Sequence, residues 1–254
     1  MNRILLGFSV LLLVSSCSKF QYVSMSSDLT RSPQRKFVHE NDSLVVTYSI
    51  KGQEGEFQVD IFNKLIKPIF VDWSKSSIII NNVSVPYWKN EFNLNAETQG
   101  YRSLITQYPS STTQGTLSQE SSVSAIPPRS STQRYLGKLR SDFFAVPSET
   151  SQKITIQNQT QQLRINARQN RFEKEKSPLT FRSYLTISAT EDFKHPVFID
   201  NQFWVNEVLA SHTDPSLIGS VKESDFYIQK PTQFGTVLIG TAALIVLVFA
   251  VLAN

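Results

Sequence analysis

The stretch that decides the fold is SLVVTYSIKGQEGEFQVDIFN, residues 43–63. Apolar and polar residues alternate from Phe57 to Ile61, which is the period of a half-buried β-strand. The first part of the stretch is also rich in β-branched and aromatic residues, and a segment with two glycines separates the two parts. The pattern predicts an antiparallel hairpin with strands over residues 43–50 and 56–63.

The same period recurs along the chain. Further strands are predicted over residues 69–73, 77–85, 153–157, 161–167, 179–188 and 197–205. Eight short strands without a strong helix between them are typical of an all-β fold, and we expect an antiparallel Ig-like β-sandwich over residues 37–230. One short helix is predicted to begin at Asp214-Pro215, an N-cap followed by proline at the first helical position.

A change in composition interrupts the predicted sandwich at residues 103–133. This segment is dominated by Ser, Thr and Gln and has too few apolar side chains to order itself alone. We expect a mobile surface loop there. The alternative is a segment that becomes ordered on a partner, because long loops often carry binding.

The N-terminal segment has the three parts of an export signal. Arg3 gives the positive start, an apolar stretch follows, and small residues lead to Cys17, the single cysteine of the chain. Residues 14–17, Val-Ser-Ser-Cys, resemble the lipobox of bacterial lipoproteins, which implies a signal peptide over residues 1–16 and lipidation of Cys17. Residues 17–36 are polar and rich in Ser, and we expect them to form a lipidated tether.

The C-terminal residues 234–253 form an uncharged run of 20 residues rich in Val, Leu, Ile and Ala. As a helix the run is about 30 Å long, which matches the hydrocarbon core of a bilayer. It predicts one transmembrane helix, with the β-rich domain on the non-cytoplasmic side. A hydrophobic tail of this kind is also compatible with a GPI-attachment signal, with Gly219 and Ser220 as the small residues. That alternative implies a eukaryotic surface protein.

Three motifs carry a resemblance to a known group of proteins. They are Phe70-Val-Asp-Trp73, Ile126-Pro-Pro-Arg-Ser130, and residues 177–188 from Ser-Pro-Leu-Thr-Phe to Tyr-Leu-Thr-Ile-Ser. As a set they resemble uncharacterised cell-envelope lipoproteins of Bacteroidota, over about residues 37–208. The resemblance implies a bacterial envelope location, and no activity, ligand or catalytic residue. The acidic run that often marks surface-exported lipoproteins of Bacteroidota is missing after Cys17, where Ser18, Lys19 and Phe20 follow, and we therefore expect the periplasmic side.

The sequence contains no pattern that names a reaction. It has no HExxH, no G-x-S-x-G elbow and no Gly-rich phosphate loop, and its three histidines are far apart. We therefore predict no catalytic residue, no metal site and no cofactor. The net charge of +4 is modest, and basic residues are not interleaved with aromatic ones as in a nucleic-acid groove.

Two hypotheses follow for function. The leading one is a non-enzymatic envelope lipoprotein that acts as an accessory or structural subunit of a membrane protein assembly. The other is a glycan- or peptide-binding lipoprotein, in which Trp73, Tyr87 and Trp88 form an aromatic contact for a ligand or a partner. Core packing of these aromatic residues is the competing interpretation, since sandwiches commonly bury a tryptophan.

Overall fold

The computed structural model describes residues 18–89, 92–101, 110–147, 149–158, 163–218 and 225–231. The described residues divide into two compact units. The first unit holds those numbered up to 62, from 133 to 181 and from 201 onward. The second holds residues 63–132 and 182–200. We had expected one domain over residues 37–230.

Sixteen strands and two short helices occur in the described residues. The strands are β1 Ser18–Ser27, β2 Thr30–Arg31, β3 Phe37–Glu40, β4 Leu44–Gln53, β5 Glu56–Asn63, β6 Ile69–Ile80, β7 Val83–Pro86, β8 Phe92–Tyr101, β9 Ser110–Gln119, β10 Val123–Ile126, β11 Ser131–Lys138, β12 Gln152–Asn158, β13 Leu163–Arg171, β14 Thr180–Ser188, β15 Val197–Ser211 and β16 Phe226–Pro231. The 3₁₀-helix η1 covers Lys174–Lys176 and the helix α1 covers Pro215–Ile218.

The prediction of a β-rich fold is confirmed, since strand accounts for 62% and helix for 4% of the structure. The Ig-like sandwich stays a prediction. The prediction of a purely antiparallel sheet is wrong for one pair of strands, because β16 runs parallel to β4 with Phe226 beside Gly52. Among the described residues, the structure has no helix of the length and apolarity needed to cross a membrane. Residues 1–16, Cys17 and residues 234–253 lie outside the described part of the chain.

Strand β1 is the central strand of the first unit. It is hydrogen-bonded to β15 on one edge and to β16 on the other. Its residues from Phe20 to Met25 are all buried, so both of its faces are covered. The tether expected at residues 17–36 is therefore wrong for residues 18–27, which form a strand. The serines suggested a linker, but Ser24, Ser26 and Ser27 are paired with residues of the distant strand β15.

Two groups of buried side chains pack within the first unit. Phe20 and Tyr22 of β1 contact a cluster that is completed by Ile165, Ala167, Leu209 and Ile218. The second group consists of aromatic rings centred on Phe203, whose centroid lies 5.1 Å from Tyr48 and 5.1 Å from Phe181. Tyr22 also donates a hydrogen bond to the carbonyl of Thr213. Burial raises the pKa of Tyr22, with Asp214 and Tyr227 adding to the rise, so the phenol stays a donor.

Asp225 fixes β1 at an irregularity in its pairing with β15. The register shifts between Ser24 and Met25, so the Met25 amide turns to a side chain and donates to Asp225 Oδ2 over 2.6 Å. Asp225 Oδ1 accepts a hydrogen bond from Arg31 over 2.7 Å, and Arg35 lies 3.6 Å away. Only 3% of the Asp225 side chain is exposed, and its contacts therefore replace the backbone bonds that the shift removes.

Local turn chemistry decides where strands begin and end. The predicted hairpin of β4 and β5 is confirmed, and its two-residue loop has positive φ at Glu54 (66°) and Gly55 (74°), as a type I′ turn requires. Asn81 and Asn82 form a second loop with φ of 51° and 63°. The single strand predicted over residues 77–85 is therefore wrong, since this loop divides it between β6 and β7.

The short helix is confirmed. Helix α1 begins at Pro215, and the Asp214 carboxylate accepts hydrogen bonds from the Ser216 amide over 2.9 Å and from the Ser216 hydroxyl over 2.7 Å. This is the arrangement of an N-cap residue.

The second unit is organised around β6, which pairs with β10 and β7 along one edge and with β14 along the other. Strands β8 and β9 form a separate two-stranded sheet. The mobile loop expected at residues 103–133 is thus wrong for the described part of this segment, which contains β9, β10 and the start of β11. Pairing with a neighbouring strand satisfies backbone groups whatever the side chains are, so Ser- and Thr-rich segments join a sheet that their composition does not indicate.

The Asp225 contacts give a stability prediction. Replacing Asp225 by Ala removes the acceptor of the Met25 amide and of the Arg31 guanidinium, and we expect a loss of about 3 kcal/mol in the free energy of unfolding. The measurement is urea unfolding of the full-length protein in detergent. Asp142→Ala, which removes an exposed carboxylate paired with Lys230, is the matched control and should lose much less. Equal losses would contradict the assigned role of Asp225.

Candidate functional site

The described parts of the chain begin and end side by side. Strands β1 and β16 are antiparallel, and Ser18 pairs directly with Pro231, while Lys19 pairs with Lys230. Directly paired residues in an antiparallel sheet have Cα atoms about 4.5–5.5 Å apart. Ser18 and Pro231, the first and last described residues, therefore lie at the same end of the sheet.

A cleft of about 800 Å³ opens at this end of the first unit. Its lining comes from five parts of the chain: the start of β1, the segment before β12, β12 itself, β13, and the end of β15 with the residue after it. The lining residues are Lys19, Phe20, Gln21, Phe143, Lys153, Ile154, Thr155, Asn166, Ala167, Arg168, Ala210, Ser211 and His212.

Strand pairing explains why these residues come together. Gln21 pairs with Ala210, Ala210 pairs with Arg168, and Arg168 pairs with Lys153. Residues that pair directly point to the same face of a sheet, so the four side chains form one row across β1, β15, β13 and β12. Phe20, Ser211, Ala167 and Ile154 form the next row. Its side chains point to the opposite face, where Phe20 and Ala167 belong to the buried cluster.

A second row belongs to the same face as Gln21. Lys19, His212, Asn166 and Thr155 each lie two positions along their segments from a member of the first row, and Thr155 pairs with Asn166. The Thr155 hydroxyl donates to the Asn166 side chain over 3.2 Å. Two successive rows, polar except for Ala210, therefore contribute to the surface of the cleft.

One wall of the cleft is held by the buried side chain of Gln21. Its amide nitrogen donates to the Phe144 carbonyl over 3.0 Å, and its amide oxygen accepts from the Phe144 backbone over 2.7 Å. The neighbouring ring of Phe143 reaches the cleft. The Arg140 guanidinium stacks on the Phe144 ring, 4.6 Å from its centroid. The segment at Phe143 and Phe144 is thus held by the hydrogen bonds of Gln21 and by the stacked guanidinium of Arg140.

The charge of the lining is entirely positive or neutral. Lys19, Lys153, Arg168 and His212 are exposed, and no carboxylate belongs to the lining. None of these four side chains makes an ion pair with a carboxylate in the described part of the chain. Lys230, the strand partner of Lys19, is outside the lining; it contacts Asp142 over 2.7 Å and holds the pKa of that carboxyl below its usual value.

The three aromatic residues predicted to contact a ligand or a partner, Trp73, Tyr87 and Trp88, belong to the second unit. Trp73 is 1% exposed and its indole donates to the Ser124 hydroxyl over 2.8 Å. Tyr87 is buried, its phenol donates to Ser183, and burial raises its pKa. The expectation that these two residues contact a ligand is wrong, because their rings are packed inside the unit. Trp88 is half-buried and donates to the Glu120 carbonyl over 2.9 Å, so it alone of the three reaches the surface.

Several carboxylates of the second unit are in local ion pairs. Asp200 contacts Arg182 over 2.6 Å, and Asp72 contacts Lys75 over 3.1 Å. Burial alone would raise the pKa of Asp72, but hydrogen bonds from Ser74 and Lys75 outweigh it and lower the pKa. In the described residues no three groups of the His, Cys, Asp and Glu types gather where a metal ion would bind. Cys17, the predicted lipidation site, lies outside those residues.

The sequence did not indicate the cleft residues as a group. It did contain a run of basic residues, which we interpret as one solvated cluster. The run consists of Arg164, Arg168, Arg171, Lys174 and Lys176. The structure divides this run. Arg168 lines the cleft, whereas Arg171 contacts Glu207 over 3.3 Å and Lys174 contacts Asp28 over 2.7 Å. The alternation of β13, combined with its register to β15, is the signal that separates them.

Comparisons with protein-family models, curated proteins and solved structures gave no match. The resemblance to Bacteroidota lipoproteins therefore stays a prediction from sequence motifs.

The Gln21 contacts predict how the wall responds to mutation. Gln21→Leu leaves the Phe144 amide and carbonyl without their partners, and we expect a loss of about 2 kcal/mol in stability together with faster tryptic cleavage at Arg140. Gln133→Leu, which removes an exposed hydrogen bond to Gln58, is the control. Cleavage at Arg140 that is equally slow in wild type and Gln21→Leu would contradict the assigned role.

Proposed function

We propose that this chain is a non-enzymatic envelope lipoprotein, anchored through lipid on Cys17 and a transmembrane helix over residues 234–253, and that it is an accessory or structural subunit of a membrane protein assembly. The observation that carries the proposal is the pairing of Ser18 with Pro231. Ser18 follows Cys17 directly, and Pro231 is three residues before the uncharged run. Both anchors would thus be attached at one end of one sheet.

The absence of a linker before β1 supports a function that depends on position. A lipoprotein that must reach away from its membrane needs a tether, whereas here β1 begins one residue after Cys17. The acyl chains alone hold a lipoprotein at a bilayer, because each buried methylene contributes about 0.8 kcal/mol. A second anchor beside the first is therefore better explained by a fixed orientation of the domain, or by packing of the helix against a partner.

The finer assignments belong to the same proposal. An Ig-like arrangement of the strands is compatible with a domain that presents a surface to another envelope protein. The periplasmic location rests on the export signal and on the motifs shared with Bacteroidota lipoproteins. A glycan- or peptide-binding role is less supported, because Trp73 and Tyr87 are buried.

The two anchors are tested separately and together in a bacterial host. Cys17→Ala removes the thiol that lipidation needs, and we expect loss of palmitate label while residues 234–253 keep the protein in the carbonate-resistant membrane fraction. Placing lysines in the run, by Ile245→Lys with Leu247→Lys, should leave the lipidated protein bound through its acyl chains. Only the combination of all three changes should release the protein.

Ser18→Ala is the matched control for the labelling, since it alters the neighbouring residue and leaves the cysteine intact. It should be labelled as wild type is. Persistent palmitate in Cys17→Ala, or extraction of the wild-type protein by carbonate, would contradict the double anchor.

A further inference from the structure

We propose that the cleft formed by Lys19, Lys153, Arg168 and His212 binds the anionic phospholipid headgroups of the bilayer that holds the protein. The inference rests on the proposed membrane anchoring and adds a ligand to it. Two independent observations meet here: the position of the cleft relative to the ends of the fold, and the charge of its lining.

The position follows from the strand register. Lys19 lines the cleft and is two residues from Cys17 in the sequence, which allows at most about 7 Å between their Cα atoms. Its partner Lys230 is the residue before Pro231. If both anchors enter the bilayer from this end, the cleft lies within about one Debye length of the headgroups, where surface charge is weakly screened.

The charge of the lining specifies the ligand chemistry. Phosphate diesters are singly charged oxygen acceptors, and the Arg168 guanidinium with the paired Lys153 ammonium provides donors that match them. Arg168 and Lys153 are directly paired across β13 and β12, and two like charges side by side are unfavourable without an anion between them. The half-buried Phe143 ring, which lines the same cleft, offers an apolar contact for the glycerol and upper acyl region.

The opposite end of β16 shows that this charge is not a general property of the fold. There Arg31 and Arg35 both lie against the buried carboxylate of Asp225, so the positive groups of that end have an anionic partner within the protein. Lys51 is near that end, since its neighbour Gly52 pairs with Phe226. It is about 13 Å or more from Lys230 along the strand direction and serves as an internal reference.

The test is amine acetylation of the full-length protein in nanodiscs, followed residue by residue with mass spectrometry. The nanodiscs contain phosphatidylcholine alone, or phosphatidylcholine with phosphatidylglycerol. We expect Lys19 and Lys153 to react about fivefold more slowly in the anionic discs, and Lys51 to be unchanged. Arg168→Gln should reduce the protection of Lys153, whereas Lys176→Gln, which removes a charge outside the cleft, should not.

A further experiment distinguishes lipid headgroups from soluble phosphate compounds. Inorganic phosphate or glycerol 3-phosphate is added to the protein in neutral discs, and protection of Lys153 there would overturn the assignment to lipid. Equal reactivity in neutral and anionic discs, with the protein retained in both, would overturn the headgroup site and leave the anchoring proposal intact. Failure of the protein to associate with discs of either kind would overturn the anchoring proposal itself.

Discussion

From Phe20 to Met25, strand β1 is buried on both faces and hydrogen-bonded on both edges, and the arrangement of the first unit depends on it. This part of the strand has no solvent-exposed side, so each of its polar groups must find a partner within the protein. Gln21 is satisfied by the backbone of Phe144, and the Met25 amide by Asp225. These contacts connect β1 to segments more than a hundred residues away, and in doing so they fix one wall of the cleft and the position of β16.

The same constraint relates the fold to the proposed function. Because β16 is antiparallel to β1, the first and last described residues, Ser18 and Pro231, lie at one end of the sheet. The charges of that end are not balanced within the lining of the cleft, whereas the carboxylate at the other end is surrounded by arginines. This asymmetry of charge does not stabilise the fold, since like charges that are close together repel. It is expected of a surface that meets an anionic partner.

The features that could be predicted from the sequence are those set by neighbouring residues. The hairpin around Glu54-Gly55 follows from the alternation of its strands and from turn residues that accept positive φ, and the helix at Pro215 follows from its N-cap. Strand β1 was mistaken for a tether because the partners of its polar side chains are far away in the chain. Its serines then look like those of a linker.

The candidate site was hidden for the same reason. Gln21, Lys153, Arg168 and Ala210 form one row only once the registers of four strands are known. The aromatic residues that stand out in the sequence occupy a different position. Trp73 and Tyr87 are large and apolar, and the structure uses them in its interior. Residue type alone therefore indicated residues of the interior, whereas the charged row is found only from the pairing geometry.

The most direct test of the central position of β1 is a disulfide between its start and the end of β16. In the full-length variant Lys19→Cys with Lys230→Cys, the Cα atoms of the two cysteines are expected about 4.5–5.5 Å apart, as in other directly paired residues. This distance lies within the range of about 4.4–6.8 Å that a disulfide spans. The account predicts rapid formation of an intramolecular bond under mild oxidation, detected by mass spectrometry. Lys19→Cys with Lys51→Cys, at opposite ends of the sheet, should not form one. Equal yields from the two pairs, or no bond in the first, would contradict the account.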